Sequence, residues 1–170
     1  MATTFKAIAT VTVGSGGASS IDFTSIPATY TDLLIMISAR GANTAANNGH
    51  YYSISINNSS SNLTQRYLQG TGSIAQSGSS STTTGNYMPA SDYTANTFSN
   101  NLTYFPNYGG SNNKSFSTDS VNENNSTTAF AIFNALLWSQ TTAINQITLT
   151  PGSGNFAQYS TATLYGIKNS

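Results

Sequence analysis

Apolar residues in this chain recur mostly at every second position, the mark of half-buried β-strands. Over residues 5–13, Phe5, Ala7, Ala9, Val11 and Val13 fall on one face. A Gly/Ser tract over 14–20 reads as a turn, and 20–23 is a short strand closed by Pro27. A strong strand spans 32–40, with Leu33, Ile35 and Ile37 on one face and Leu34 and Met36 on the other. After a polar loop over 41–49, residues 51–57 alternate with Tyr52, Ile54 and Ile56 inward, and 66–69 is a weaker strand. Residues 70–95 read as one long polar loop with room for a short edge strand, since 77–85 contain only Ser, Thr and Gly.

The second half is denser in strand signals. Segments 97–105 and 114–122 flank a turn over 106–113. Segment 128–139 is the most apolar, with Phe130, Ile132, Asn134, Leu136 and Trp138 on one face and Ala129, Ala131, Phe133, Ala135 and Leu137 on the other. Segments 144–150 and 159–168 close the chain, separated by Pro151 to Gly154. The three-four spacing of an amphipathic helix does not run over any useful length. The expectation is an all-β, antiparallel β-sandwich of nine or ten strands in a single domain over 1–170, with the jelly roll the favoured topology.

Segments 33–37 and 129–138 are apolar on both faces, whereas a sandwich strand needs only one buried face. Either loops of the same subunit cover the second faces or another subunit does. The second case makes Leu34, Met36, Phe133 and Leu137 candidate interface residues of a symmetric homo-oligomer, for a jelly roll of this size a homotrimer.

Composition sharpens this reading. About two-fifths of the chain is Ser, Thr or Asn, only 6% is charged, and the formal net charge is zero. A disordered chain pairs low hydrophobicity with high charge; this one carries 11% aromatics and little charge. Its surface is polar but uncharged, suited to work outside cells. With no net charge there is little repulsion between copies, so assembly is a natural state. Lys6, Arg40, Arg66, Lys114 and Lys168 stand singly, which argues against nucleic acid as a partner. With no Cys there is neither disulfide nor thiolate metal site. The start lacks a signal-peptide pattern, and the aliphatic run 33–37 is too short to insert in a membrane.

Catalytic signals are weak, and the expectation is a non-enzymatic protein without cofactor or metal. His50 is the single histidine and no Ser sits in a nucleophile-elbow context. The acids are Asp22, Asp32, Asp92, Asp119 and Glu123. Asp119 and Glu123 are about 13 Å apart along a strand, too far for paired-carboxylate glycoside hydrolysis. With Asn122 and Asn124 they could offer oxygens to calcium, though without the spacing of a calcium loop. Tyrosines at strand ends and loops, among them Tyr87, Tyr93, Tyr104 and Tyr108, are candidate contacts for a glycan or partner, their rings offered to apolar sugar faces. The competing explanation is ordinary strand propensity.

Several stretches resemble a family of virion structural proteins of tailed bacteriophages, notably phages of aquatic bacteria. They are the opening Phe5-Lys-Ala-Ile-Ala-Thr-Val-Thr-Val-Gly-Ser-Gly-Gly-Ala-Ser-Ser-Ile-Asp-Phe-Thr-Ser-Ile-Pro27 with its continuation Tyr30-Thr-Asp-Leu-Leu34, the middle Asn112-Asn-Lys-Ser-Phe116, and the closing Ile147-Thr-Leu-Thr-Pro-Gly-Ser-Gly154 and Ser160-Thr-Ala-Thr-Leu-Tyr-Gly-Ile167. The resemblance implies a β-sandwich subunit on the virion surface, and a surface suited to work outside cells without a signal-peptide pattern fits synthesis in the host cytoplasm and release by lysis. Its partners would be copies of itself and the major capsid protein, with host surface glycan as the alternative for a tail-fibre or tail-tip protein. No catalytic residue comes with it. Residues 1–4 and the 14–20 tract are expected to order on docking.

Overall fold

The computed structural model describes residues 5–44, 50–83, 85–123, 125 and 129–168. The expected ordering of residues 1–4, part of the 41–49 loop and Asn124 lie outside these. The described residues hold twelve strands and no helix, two strands more than the upper expectation. They are β1 (Phe5–Thr12), β2 (Ile21–Phe23), β3 (Asp32–Ser38), β4 (His50–Ile56), β5 (Leu63–Gly70), β6 (Ala75–Ser80), β7 (Asn86–Met88), β8 (Asn100–Phe105), β9 (Lys114–Asn122), β10 (Phe130–Trp138), β11 (Ile147–Pro151) and β12 (Thr161–Ile167).

One sheet has eight strands in the order β1-β12-β3-β8-β9-β10-β5-β6; the other has four, β2-β11-β4-β7. Eight strands make the jelly-roll wrap. They pair β1 with β12, β2 with β11, β3 with β8 and β4 with β7, as a long antiparallel ribbon rolled on itself requires. Two hairpins are inserted in that wrap, β5–β6 between β4 and β7, and β9–β10 between β8 and β11. Both join the same edge of the large sheet, next to β8, and carry it beyond its four-stranded partner.

The core lies between the two sheets of the wrap. Leu33, Ile35 and Ile37 of β3 and Leu164 of β12 meet Tyr52, Ile54 and Ile56 of β4 and Ile147 and Leu149 of β11, all buried. Phe105 and Phe116 stack at 4.5 Å between centroids where the extension begins.

From β8 outward, buried polar residues share the inward positions with Leu63, Phe116, Phe130, Ile132, Leu136 and Trp138. Gln65, Asn101, Thr103, Thr118, Ser120, Asn122 and Asn134 are all buried. Segment 85–88 lies against them and is held by side-chain hydrogen bonds. Asn134 Nδ2 donates to the Gly85 carbonyl (3.2 Å), the Tyr87 amide donates to Ser120 Oγ (3.0 Å), and Asn101 Nδ2 donates to the Tyr87 carbonyl (3.2 Å). Stretch 70–95 is therefore not one long loop. It contains β6 and β7, whose Ser/Thr/Gly/Asn composition conceals ladder pairing with β5 and β4.

Strand β1 also departs from its sequence pattern. A register shift between Ala7 and Ala9 reverses the side-chain parity. Phe5 stacks on Tyr165 at 4.6 Å, Val11 packs on the core, and the single face expected for residues 5–13 is split in two.

Candidate assembly surface

The eight-stranded sheet has an outer face that the other sheet does not touch. Cross-strand register places its residues in rows. One row runs Ser77, Leu68, Phe133, Asp119, Leu102, Met36 and Thr163 across β6, β5, β10, β9, β8, β3 and β12. The next runs Ser79, Arg66, Ala135, Ser117, Tyr104, Leu34 and Tyr165. Three of the four predicted interface residues are exposed on this face, Met36 at 43%, Phe133 at 52% and Leu137 at 36%, and Leu34 is half-buried beside them. No described loop of the subunit buries them. Two strands from opposite halves of the sequence, β3 and β10, thus contribute to one surface. Leu68, Val121 and the ring of Tyr104 extend it, and sequence reasoning missed the first two. The signal for Val121 was its odd-numbered parity with Asp119, opposite to Phe116 and Thr118.

Phe133 stands between two shallow hollows. Leu68, Ala75, Asp119 and Ala131 line one of about 640 Å³, and Arg66, Gly78, Ser79 and Ala135 line another of about 450 Å³. Leu68 and Phe133 border both.

The four candidate tyrosines do not converge. Tyr108 is fully buried, and its hydroxyl donates to the Pro27 carbonyl; it is a core residue with no ring face for a ligand. Tyr104 lies on the outer face and donates its hydroxyl to Asp32 at 2.8 Å, which raises its pKa above the usual phenol value. Tyr87 lies far from it on β7, stacked on Phe130 at 4.1 Å and edge-on to Tyr51. Burial, followed by the nearby hydroxyls of Tyr67, Tyr51 and Tyr93, raises the pKa of Tyr87. Tyr51, Tyr67, Tyr87 and Tyr93 therefore form a half-exposed cluster at the rim of the small sheet. Two of its members, Tyr51 and Tyr67, belong to the wider set of strand-end and loop tyrosines legible in the sequence, outside the four named candidates.

Two of the five cations are internal. The Arg40 guanidinium donates to the carbonyls of Ser91, Tyr93, Thr94 and Thr97, pinning the loop that carries Tyr93. The Lys114 ammonium donates to the carbonyls of Gly110 (2.7 Å), Thr141 (3.0 Å) and Thr142 (2.7 Å), and lies 5.8 Å from the Trp138 ring. Burial lowers the pKa of both. Lys114 was legible by parity, since it shares the inward face with Phe116.

His50 is buried at the start of β4, its ring against Gly41, where an added Cβ would lie 1.7 Å from Cδ2. Its Nε2 has no hydrogen-bond partner among the described residues. Desolvation lowers its pKa and Asp92 opposes the shift. The acids are dispersed. Asp22 accepts from Ser20 and Thr148, Asp32 from Tyr104 and the Asn107 amide, and Glu123 from the Asn125 amide. Among the described residues no three His, Cys, Asp or Glu side chains gather as a metal site would need.

The fold is that of an all-β jelly-roll sandwich with an enlarged sheet. Compared with known proteins, the chain matches no family model, no curated protein and no solved structure.

Proposed function

We propose that this protein is a non-enzymatic virion structural protein of a tailed bacteriophage, a decoration or cement protein bound as a homotrimer to the outside of the capsid shell. The observation that carries this reading is the exposed apolar face of the large sheet in a chain with 6% charged residues. Contiguous apolar surface on a soluble domain marks a place of contact. Two inserted hairpins supply most of it, and the jelly-roll wrap closes without them. The resemblance of residues 5–27, 30–34, 112–116, 147–154 and 160–167 to virion proteins supports the particle as the setting. Shallow contacts repeated over a lattice add up through multivalency and would clamp neighbouring capsid subunits against internal pressure. An uncharged Ser/Thr/Asn exterior keeps the remaining surface hydrated without electrostatic adhesion.

Quantitative mass spectrometry of purified virions tests this reading. A copy number that is a large fraction of the major capsid protein supports decoration of the shell; a handful of copies per particle overturns it.

A second reading is favoured by the cluster of Tyr51, Tyr67, Tyr87 and Tyr93. Half-exposed rings with clustered hydroxyls suit a host glycan, which would place the protein at a tail fibre or tail tip. Binding of host polysaccharide, lost in Tyr87→Ala and Tyr93→Ala, tests it.

A further inference from the structure

The strands of the large sheet's outer face carry one more feature, a single exposed charge of each sign. Arg66 on β5 and Asp119 on β9 are both exposed; Glu123, one residue past β9, is exposed at the margin beside Val121 and accepts from the Asn125 amide. Arg66 donates one hydrogen bond, to the Gln65 carbonyl beside it. Asp119 has no hydrogen bond or ion pair among the described residues. Register fixes their separation. Asp119 shares a row with Phe133 and Leu68, and Arg66 shares the next row with Ala135 and Ser117. They stand two strands apart and two residues along, about 10 Å by 7 Å, with β10 between them. Each borders one of the two hollows flanking Phe133, Asp119 the larger and Arg66 the smaller.

We infer that this face is where copies of the chain meet, with Arg66 of one copy paired to Asp119 of the next and Phe133 seated in the neighbour's hollow. The inference rests on the homo-oligomeric part of the reading above, not on the capsid. Three observations select a second copy as the occupant. Around Phe133 the strands are self-complementary in charge, with one exposed cation, Arg66, and one exposed anion, Asp119. In a closed ring around an axis over β10, every copy gives Arg66 to one neighbour and Asp119 to the other, so neither charge is left over. The area also fits. Seven strands from β12 to β6, about 4.8 Å apart and about 23 Å long, present roughly 800 Å². A ring of three divides it between two neighbours, about 400 Å² to each, so the assembly buries roughly 2,400 Å² in all and closes only as a whole. An exposed aromatic at the centre, ringed by small residues such as Ala131 and Ala135, has the form of an interface anchor.

Charge reversal tests the pairing. Light scattering and sedimentation would be run on the native protein, Arg66→Asp, Asp119→Arg and the double reversal. The native protein is expected at a whole multiple of its 17.8 kDa chain mass. Each single reversal should weaken association by about tenfold or more, because like charges then meet. The double reversal should restore it to within about threefold of the native protein, which a merely misfolded variant would not do. A native monomer at 100 µM (about 1.8 mg/ml) would overturn the inference, and so would a double reversal as weak as either single. Neither result bears on how many copies a virion carries, so the two readings fail separately.

Discussion

Phe133 and Asn134 are consecutive in β10, yet Phe133 is half out in solvent and Asn134 is buried. Asn134 donates to Thr118 Oγ1 at 2.6 Å and to the Gly85 carbonyl, and accepts from Gln65 Nε2 at 2.9 Å. At this register a polar residue points inward and an apolar one outward, although the inward face of β10 is otherwise Phe130, Ile132, Leu136 and Trp138. Two consequences follow. A buried hydrogen-bond network adds to the apolar packing of the extension, and apolar side chains on its exterior are available for contact.

Asn134→Ala should therefore destabilise the fold by about 2–3 kcal/mol, because three buried groups lose a partner at once. Urea denaturation checks this. Phe133→Ser should destabilise the dissociated subunit by about 1 kcal/mol at most, well below Asn134→Ala, since half of its surface is in solvent and the rest makes a cross-strand pair with Leu68. The same substitution should shift association strongly, so the two neighbours separate folding from assembly.

Lys114 acts as an internal cation that ties the loop over 139–142 to the turn at Gly110. Lys114→Met should cost about 3 kcal/mol, because Met leaves the Gly110, Thr141 and Thr142 carbonyls without a donor. A thermal melt should show the loss. A midpoint unchanged within error would mean that the carbonyls find other donors.

His50 gives the fold a pH dependence with a definite sign. Its pKa in the folded state lies below the ordinary 6.5, so as pH falls past 6.5 the unfolded chain takes up the proton first. The stability it contributes is complete above 6.5 and is lost as pH falls toward the folded-state value. A series of melts from pH 7.5 to pH 5 should show this slope, and His50→Phe should flatten it. Because Asp92 raises the pKa of His50, Asp92→Asn should deepen the loss. Gly41→Ala should destabilise at every pH, since the new methyl group meets the His50 ring.

Alternation in the sequence placed β3, β4, β10 and β12, because each has one strongly apolar face to bury, while β8 and β9 were set off by the turn residues over 106–113. It also placed Leu34, Met36, Phe133 and Leu137 on surplus faces. What it could not place is the pairing that brings β3 and β10 into one sheet through β8 and β9, since register is a long-range property. Strands β6 and β7 escaped because Ser77, Gly78, Ser79 and Asn86 have low strand propensity and are held by their partners' ladders. Tyr108 was misplaced for a related reason. It lies in a polar turn whose composition signals exposure, while its ring folds back under β2–β3 toward Pro27.

A thiol placed on the outer face of the large sheet tests whether assembly covers that face. The chain has no native cysteine, so one introduced thiol reports one site. Ala135→Cys on the outer face and Thr150→Cys on the small sheet are both exposed in the subunit. Thiol-labelling rates should be compared in the assembled protein and in the protein diluted below its association range. Labelling of Ala135→Cys is expected to slow about tenfold or more on assembly while Thr150→Cys is unchanged. Equal labelling of Ala135→Cys in both states would contradict that coverage.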